Sequence, residues 1–188
     1  MPNVQHSSLT GSDLHEPKGV ATASAGKVYI ALGTGTGHWD YYNSFVNGYI
    51  AFDAVTPAET HSVTTSFTVF NPTFSLSLNR DWVGESSPNA RLKYTGVDNT
   101  VANCQITMSV QQASGSSKDL EVVFRKNGTS LNGGHAIATV ASGAWQTVTL
   151  TDFGTFSTND YLEVFFKGDA AFTLDIASAN LTVLGIHN

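Results

Sequence analysis

Ala102-Asn103-Cys104-Gln105-Ile106-Thr107-Met108-Ser109-Val110 alternates apolar and polar side chains with a period of two, the pattern of a strand with one face buried. Ser114-Gly115-Ser116-Ser117 breaks the pattern and Leu120-Glu121-Val122-Val123-Phe124-Arg125 resumes it. Asn127-Gly128 then supplies a dipeptide suited to the positive φ angles of a tight turn. The stretch 102–128 reads as a β-hairpin, or at least as two consecutive strands. Cys104, the only cysteine, shares the parity of Ile106, Met108 and Val110, so it is expected to be a buried structural thiol.

The same alternation runs outward from this stretch. Downstream, strands are expected at His135–Val140, Trp145–Leu150, Tyr161–Phe166, Phe172–Ile176 and Leu181–Ile186, separated by turn signals such as Gly133-Gly134, Ser142-Gly143, Asn159-Asp160 and Gly168-Asp169. Upstream they are expected at Lys27–Leu32, Gly48–Phe52, Ser62–Phe70, Phe74–Leu78 and Arg91–Thr95. Short strands at this spacing, with no convincing helical periodicity, predict an all-β fold: an antiparallel jelly-roll β-sandwich with an extended N-terminal arm. The expected organisation is an arm over 1–26, short strands with a Gly-rich, aromatic turn over 27–61, and the jelly roll over 62–188.

Composition narrows the function classes. Charged residues make up 13% of the 188, about half the roughly 25% usual for soluble domains, so much of the surface must be neutral and polar. With nine basic residues, no Lys/Arg cluster and a net charge of −6, direct nucleic-acid binding is disfavoured. No apolar run approaches the roughly 20 residues of a membrane span, and the N-terminus shows neither a basic nor an apolar signal region. The six histidines, at 6, 15, 38, 61, 135 and 187, are scattered, and His15-Glu16 lacks the second histidine that a His-Glu-x-x-His site requires; no metal and no cofactor is expected. Gly33-Thr34-Gly35-Thr36-Gly37 is followed by His38-Trp39-Asp40-Tyr41-Tyr42 rather than by a helix, which argues for a flexible turn over a phosphate-binding loop. No nucleophile or acid pair stands out, so the chain is not read as an enzyme.

Three groups of residues point to interactions. Within the arm, Leu9 and Leu14 are candidate apolar anchors and His15, Glu16, Pro17 and Lys18 lie beside them, with Pro17 pushing Glu16 toward extended geometry. Trp39, Tyr41 and Tyr42 are candidate stacking residues for a glycan, or packing residues for a partner. Tyr161 and Phe165 lie opposite in parity to Leu162, Val164 and Phe166, and Val123 opposes Leu120, Val122 and Phe124. A sandwich strand that is apolar on both faces calls for a covered outer face, so Val123, Tyr161 and Phe165 are candidates for a subunit interface.

From Leu92-Lys93-Tyr94-Thr95-Gly96, through Lys126-Asn127-Gly128-Thr129 at the end of the 120–126 strand, to Asp160-Tyr161-Leu162-Glu163-Val164, the chain resembles the tumour-necrosis-factor/C1q-like jelly roll of bacteriophage virion proteins. Leu9–Gly19 likewise looks like the arm peptide near the N-terminus of many phage structural proteins. The resemblance implies a homotrimer with a virion role, and it carries no catalytic residues. The expected function is a capsid decoration (cement) protein on the outer surface of the shell, assembled in the host cytoplasm, with itself and the major capsid protein as partners. The alternative is a tail-associated or fibre protein that binds a host glycan receptor.

Overall fold

The structure is a computed structural model that describes residues 27–31, 37–41, 45–53, 59–76 and 79–187. All the regular structure among them is strand. Two compact units are present, residues 1–44 and residues 45–188. In the first, β1 (Lys27–Ala31) and β2 (Gly37–Tyr41) pair antiparallel, with Tyr29 opposite Trp39 and Lys27 opposite Tyr41.

The second unit holds two antiparallel sheets. Its strands are β3 (Phe45–Asp53), β4 (Glu59–Val63), β5 (Thr68–Val69), β6 (Ser75–Leu76), β7 (Trp82–Glu85), β8 (Arg91–Tyr94), β9 (Thr100–Gln112), β10 (Lys118–Lys126), β11 (Thr129–Val140), β12 (Gln146–Phe156), β13 (Tyr161–Gly168) and β14 (Phe172–His187). Sheet I has the order β12-β9-β14-β3-β6, with β4 also on β14, and sheet II the order β11-β10-β13-β8-β7, with β5 on β13. From β8 onward each connection except the β10–β11 turn carries the chain to the other sheet, which is the winding of a jelly roll.

Several strand expectations change for identifiable reasons. β9 and β10 are not a hairpin, because they lie in different sheets and Ser114–Ser117 joins them across the sandwich. The hairpin is β10–β11, where Asn127 and Gly128 take φ of 52° and 77° between the paired Lys126 and Thr129. The expected strands at 172–176 and 181–186 are one strand: Ala177 is the extra residue of a bulge between Ile176 and Ser178, which moves the buried parity from Leu174 and Ile176 to Ala179, Leu181 and Val183. The expected strand over 62–70 is interrupted at Thr64–Ser66, where the Ser66 N–H donates to Thr64 Oγ1 at 3.2 Å and competes with the ladder. The sandwich also begins before residue 62, since β3 pairs with β14 over nine residues.

The core fills the space between the sheets. Cys104, Ile106, Met108 and Val110 of β9 are buried against Leu120, Val122 and Phe124 of β10 and Leu162, Val164 and Phe166 of β13 within one cluster. An aromatic group ties the sheets together at one end: Trp82 of sheet II lies 5.2 Å from Tyr94 and 5.0 Å, edge to face, from Phe156 of sheet I. Burial, with the Asp152 carboxylate adding to it, pushes the Cys104 thiol up to about 12. The thiolate needed for reaction is therefore scarce at neutral pH and the sulfur is shielded from reagent. Cys104 should be inert to Ellman's reagent in the native protein and titrate fully in denaturant; stoichiometric reaction without denaturant would contradict the buried position.

Candidate interaction surfaces

The two outer faces of the sandwich differ in chemistry. Sheet II carries its charges outward in pairs: Arg91 Nε donates to Glu85 at 2.6 Å, Lys167 Nζ lies 3.0 Å from Glu121, and His135 Nδ1 lies 3.4 Å from the same carboxylate. Glu163 is buried and accepts from the Asn89 amide at 3.0 Å. The candidate interface residues Val123, Tyr161 and Phe165 all lie on this face. Val123 is buried, with Phe165 on one neighbouring strand and His135 on the other. Arg91 covers the Tyr161 ring and Arg125 the Phe165 ring, each at 4.3 Å, and Phe67, from the segment leading into β5, packs under Arg125 at 5.3 Å and Lys167 at 4.6 Å. The cover that an apolar outer face calls for is supplied here by the chain itself.

Sheet I presents a different surface. The outward residues of β12, β9, β14 and β3 are mostly Thr, Ser, Asn and Gln, and the aspartates Asp53 and Asp175 stand at one end. The other end is apolar. Ile186 is opposite Phe45 on one side and Val101 on the other, while Leu184 and Phe153 both flank Asn103. Phe45 (57%), Leu184 (54%), Phe153 (57%) and Ile186 (49%) are half exposed, and Val101 somewhat less. These residues were not singled out from sequence. The available signal was the change of parity in Leu181-Thr182-Val183-Leu184-Gly185-Ile186, where apolar residues occupy both faces.

A third feature is a corner in which the three peptides of the phage resemblance meet. The Tyr161 N–H donates to Asn127 Oδ1 at 3.0 Å and the Asn127 N–H to the Tyr161 carbonyl at 3.1 Å. The Asn127 amide donates to Asp160 Oδ1 at 2.6 Å, and Lys126 Nζ lies 3.4 Å from Oδ2. The Tyr94 N–H donates to the Asp160 carbonyl at 2.8 Å, the Asn159 N–H to the Tyr94 carbonyl at 2.9 Å, and the Thr158 hydroxyl to the Gly96 carbonyl at 2.6 Å. Gly96 must be glycine because a Cβ there would run into the Tyr94 phenol ring. These motif residues lock loops together, and their work is structural.

The remaining sequence candidates are placed as follows. Leu9, Leu14, His15, Glu16, Pro17, Lys18 and Tyr42 lie outside the described residues; Trp39 and Tyr41 lie on β2. Among the described residues no group of three or more His, Cys, Asp or Glu side chains is placed to hold a metal ion. No helix among them is long and apolar enough to cross a membrane.

No protein-family profile matches the chain, and no curated protein matches it in sequence. Solved structures do. The Eiger TNF of S. frugiperda superposes with a TM-score of 0.51 at 7% identity, covering 78% of this chain and 95% of that one. Murine APRIL gives 0.44 at 10% identity, with 74% and 99% covered, and the PRD1 vertex protein P5 gives 0.46 at 12%, with 76% and 97% covered. The fold is thus a jelly roll, as the strand alternation implied, and it is TNF-like in form.

Burial alone would raise the Asp160 carboxyl, but the Ser157 N–H, the Asn127 amide and the Lys126 ammonium outweigh it and hold the group below its usual 3.8. Because the folded value lies below the unfolded one, this contribution to stability is present above pH 3.8 and is lost as the pH falls through the folded value. Asp160→Ala should lower the urea midpoint at pH 7 and make the acid-induced loss of stability below pH 3.8 shallower. Identical acid limbs in the variant and the parent would remove Asp160 from this role. Gly96→Ala should cost about 1–3 kcal/mol in the same titration by displacing Tyr94.

Proposed function

We propose that this chain is a structural component of a bacteriophage virion: a decoration, or cement, protein that sits as a homotrimer on the outer surface of the capsid. The observation that carries this reading is the corner described above. Three short peptides that resemble virion jelly rolls, separated in sequence by dozens of residues, converge on one hydrogen-bonded junction. They act as one three-dimensional unit, which gives the resemblance more weight than three separate short matches would have.

The physics of decoration suits the chain. Residues 1–26, with Leu9 and Leu14 as anchors and His15, Glu16, Pro17 and Lys18 beside them, dock on the major capsid protein, and the jelly roll forms the knob. Three arms carried by one trimer bind at high effective concentration, so weak single contacts sum to strong attachment. An arm that orders on binding gives up part of its interaction energy to conformational entropy but spans a long footprint. A low share of charged residues suits a protein whose outer surface remains in water while its other surfaces meet neutral partners.

Deleting residues 1–20 should leave a folded oligomer that no longer joins shells lacking the protein, as read by light scattering and by co-sedimentation with particles. An arm-less oligomer that still decorates shells would overturn the assignment of the arm. Attachment of a few copies at the tail, together with glycan binding abolished by Trp39→Ala, would overturn the capsid reading in favour of a receptor-binding role for Trp39, Tyr41 and Tyr42.

A further inference from the structure

We propose that Arg125, on the outer face of sheet II, receives the carboxylate of a sugar acid, a uronic or sialic acid residue. This goes beyond the virion reading and does not depend on it.

The first observation is that Arg125 stands outside the pairing of its neighbours. Arg91, Lys93, Arg125 and Lys167 point outward from β8, β10 and β13. Arg91 is bonded to Glu85, Lys93 Nζ lies 3.8 Å from the same carboxylate, and Lys167 is paired with Glu121. Arg125 makes no ion pair and no hydrogen bond among the described residues, and its Nε is buried without an acceptor. Glu163 sits directly opposite Arg125 on β13, yet its carboxylate accepts from the Asn89 amide at 3.0 Å. A half-buried guanidinium therefore lacks the charge-assisted hydrogen bonds that the other cations of this face make.

The second observation is that this guanidinium is already held in place. Its central carbon lies 4.3 Å from the centre of the Phe165 ring and 5.3 Å from that of Phe67. A side chain fixed against two rings gives up little rotamer freedom when a ligand arrives, and its planar fork of N–H donors matches a carboxylate bidentately. On the β11 side, Ser130 is opposite Arg125 and His135 opposite Val123, and the chain between them leaves the ladder, with Asn132 and Gly133 at φ of 43° and 81°. Such irregularities re-aim side chains and collect beside binding sites. Ser130 and His135 are both exposed there, and a hydroxyl and an imidazole are suitable partners for the hydroxyls of a sugar.

The third observation is charge and extent. The same face carries Glu85, Glu121 and Glu163 in a chain whose net charge is −6. A phosphate dianion or a nucleic acid would meet this repulsion without the cluster of cations it needs, whereas one carboxylate is matched by one arginine. A protein partner must bury roughly 800 Å² to hold, and its neighbours on this face are cations already paired with carboxylates, which are costly to desolvate. A single sugar acid needs only the unpaired group and the polar side chains beside it.

The test is ligand-observed NMR titration of the full chain with glucuronate, with glucose as the uncharged counterpart and N-acetylglutamate α-amide as a carboxylate on a peptide. The expected result is a dissociation constant for glucuronate on the order of 1 mM, with no saturable signal from glucose. Arg125→Gln should weaken glucuronate binding at least about 10-fold, and so should Arg125→Lys, which keeps the charge over the rings but lacks the fork. Lys118→Gln, at the far end of β10, should leave binding unchanged. Cooperative circular-dichroism melts of both Arg125 variants separate loss of the site from loss of the fold. Unchanged affinity in Arg125→Gln, equal binding of glucose, or no binding of glucuronate overturns the inference and leaves the virion reading untouched. N-acetylglutamate α-amide binding as tightly as glucuronate also overturns it, in favour of an acidic peptide as the ligand.

Discussion

Strand β14 is the constraint on which the rest of sheet I depends. It pairs with β9 along one edge and with β3 and then β4 along the other, so four strands take their register from one another through its hydrogen bonds. The bulge at Ala177 makes this arrangement possible. Without the extra residue, the side chains that follow it would turn to the opposite face, and Ala179, Leu181 and Val183 would leave the core. Because β9 and β3 are both registered on β14 beyond the bulge, the inward placement of Cys104, Ile106, Val46 and Ile50 follows from the same local irregularity.

The two sheets solve the problem of their outer faces in opposite ways. Sheet II covers its aromatic residues with its own cations: Arg91 on Tyr161, Arg125 on Phe165, Lys167 on Phe67. Each contact is worth only about 0.5–1 kcal/mol at an exposed site, and together they shield part of these rings from water. The named strands of sheet I carry no Lys or Arg, Arg80 standing beside β3 opposite Asn47, and the apolar end of the sheet is half exposed. The two outer faces therefore differ in chemistry, one carrying paired charges over aromatic rings and the other a neutral polar surface with an exposed apolar end.

The corner joining Tyr94, Asn127 and Asp160 shows why short motifs can carry a resemblance when overall identity is too low to detect. A loop junction built from backbone hydrogen bonds restricts particular positions: a small residue at Gly96, a left-handed φ at Asn127 and Gly128, and an acceptor at Asp160. Strand residues between these positions need only keep their alternation, and many sequences do so. The solved jelly roll that superposes on 78% of this chain at 7% identity is an example of the same freedom.

The amino-acid sequence by itself determined the fold class, because period-two alternation and turn dipeptides are local signals, and it determined the buried thiol at Cys104 and the turn at Asn127-Gly128 for the same reason. It also showed that the residues around Tyr161 and Phe165 had to be covered. Only the tertiary structure decided what covers them, since Phe67 is about a hundred positions away in the chain and Arg125 belongs to a neighbouring strand. Tertiary structure likewise decided that β9 and β10 face each other across a core instead of pairing edge to edge, that two apparent strands are one strand with a bulge, and that Phe45, Val101, Phe153, Leu184 and Ile186 share a surface. Alternation records which face a side chain takes within its own strand. Which strands become neighbours is set by pairing between distant segments, and no local pattern encodes it.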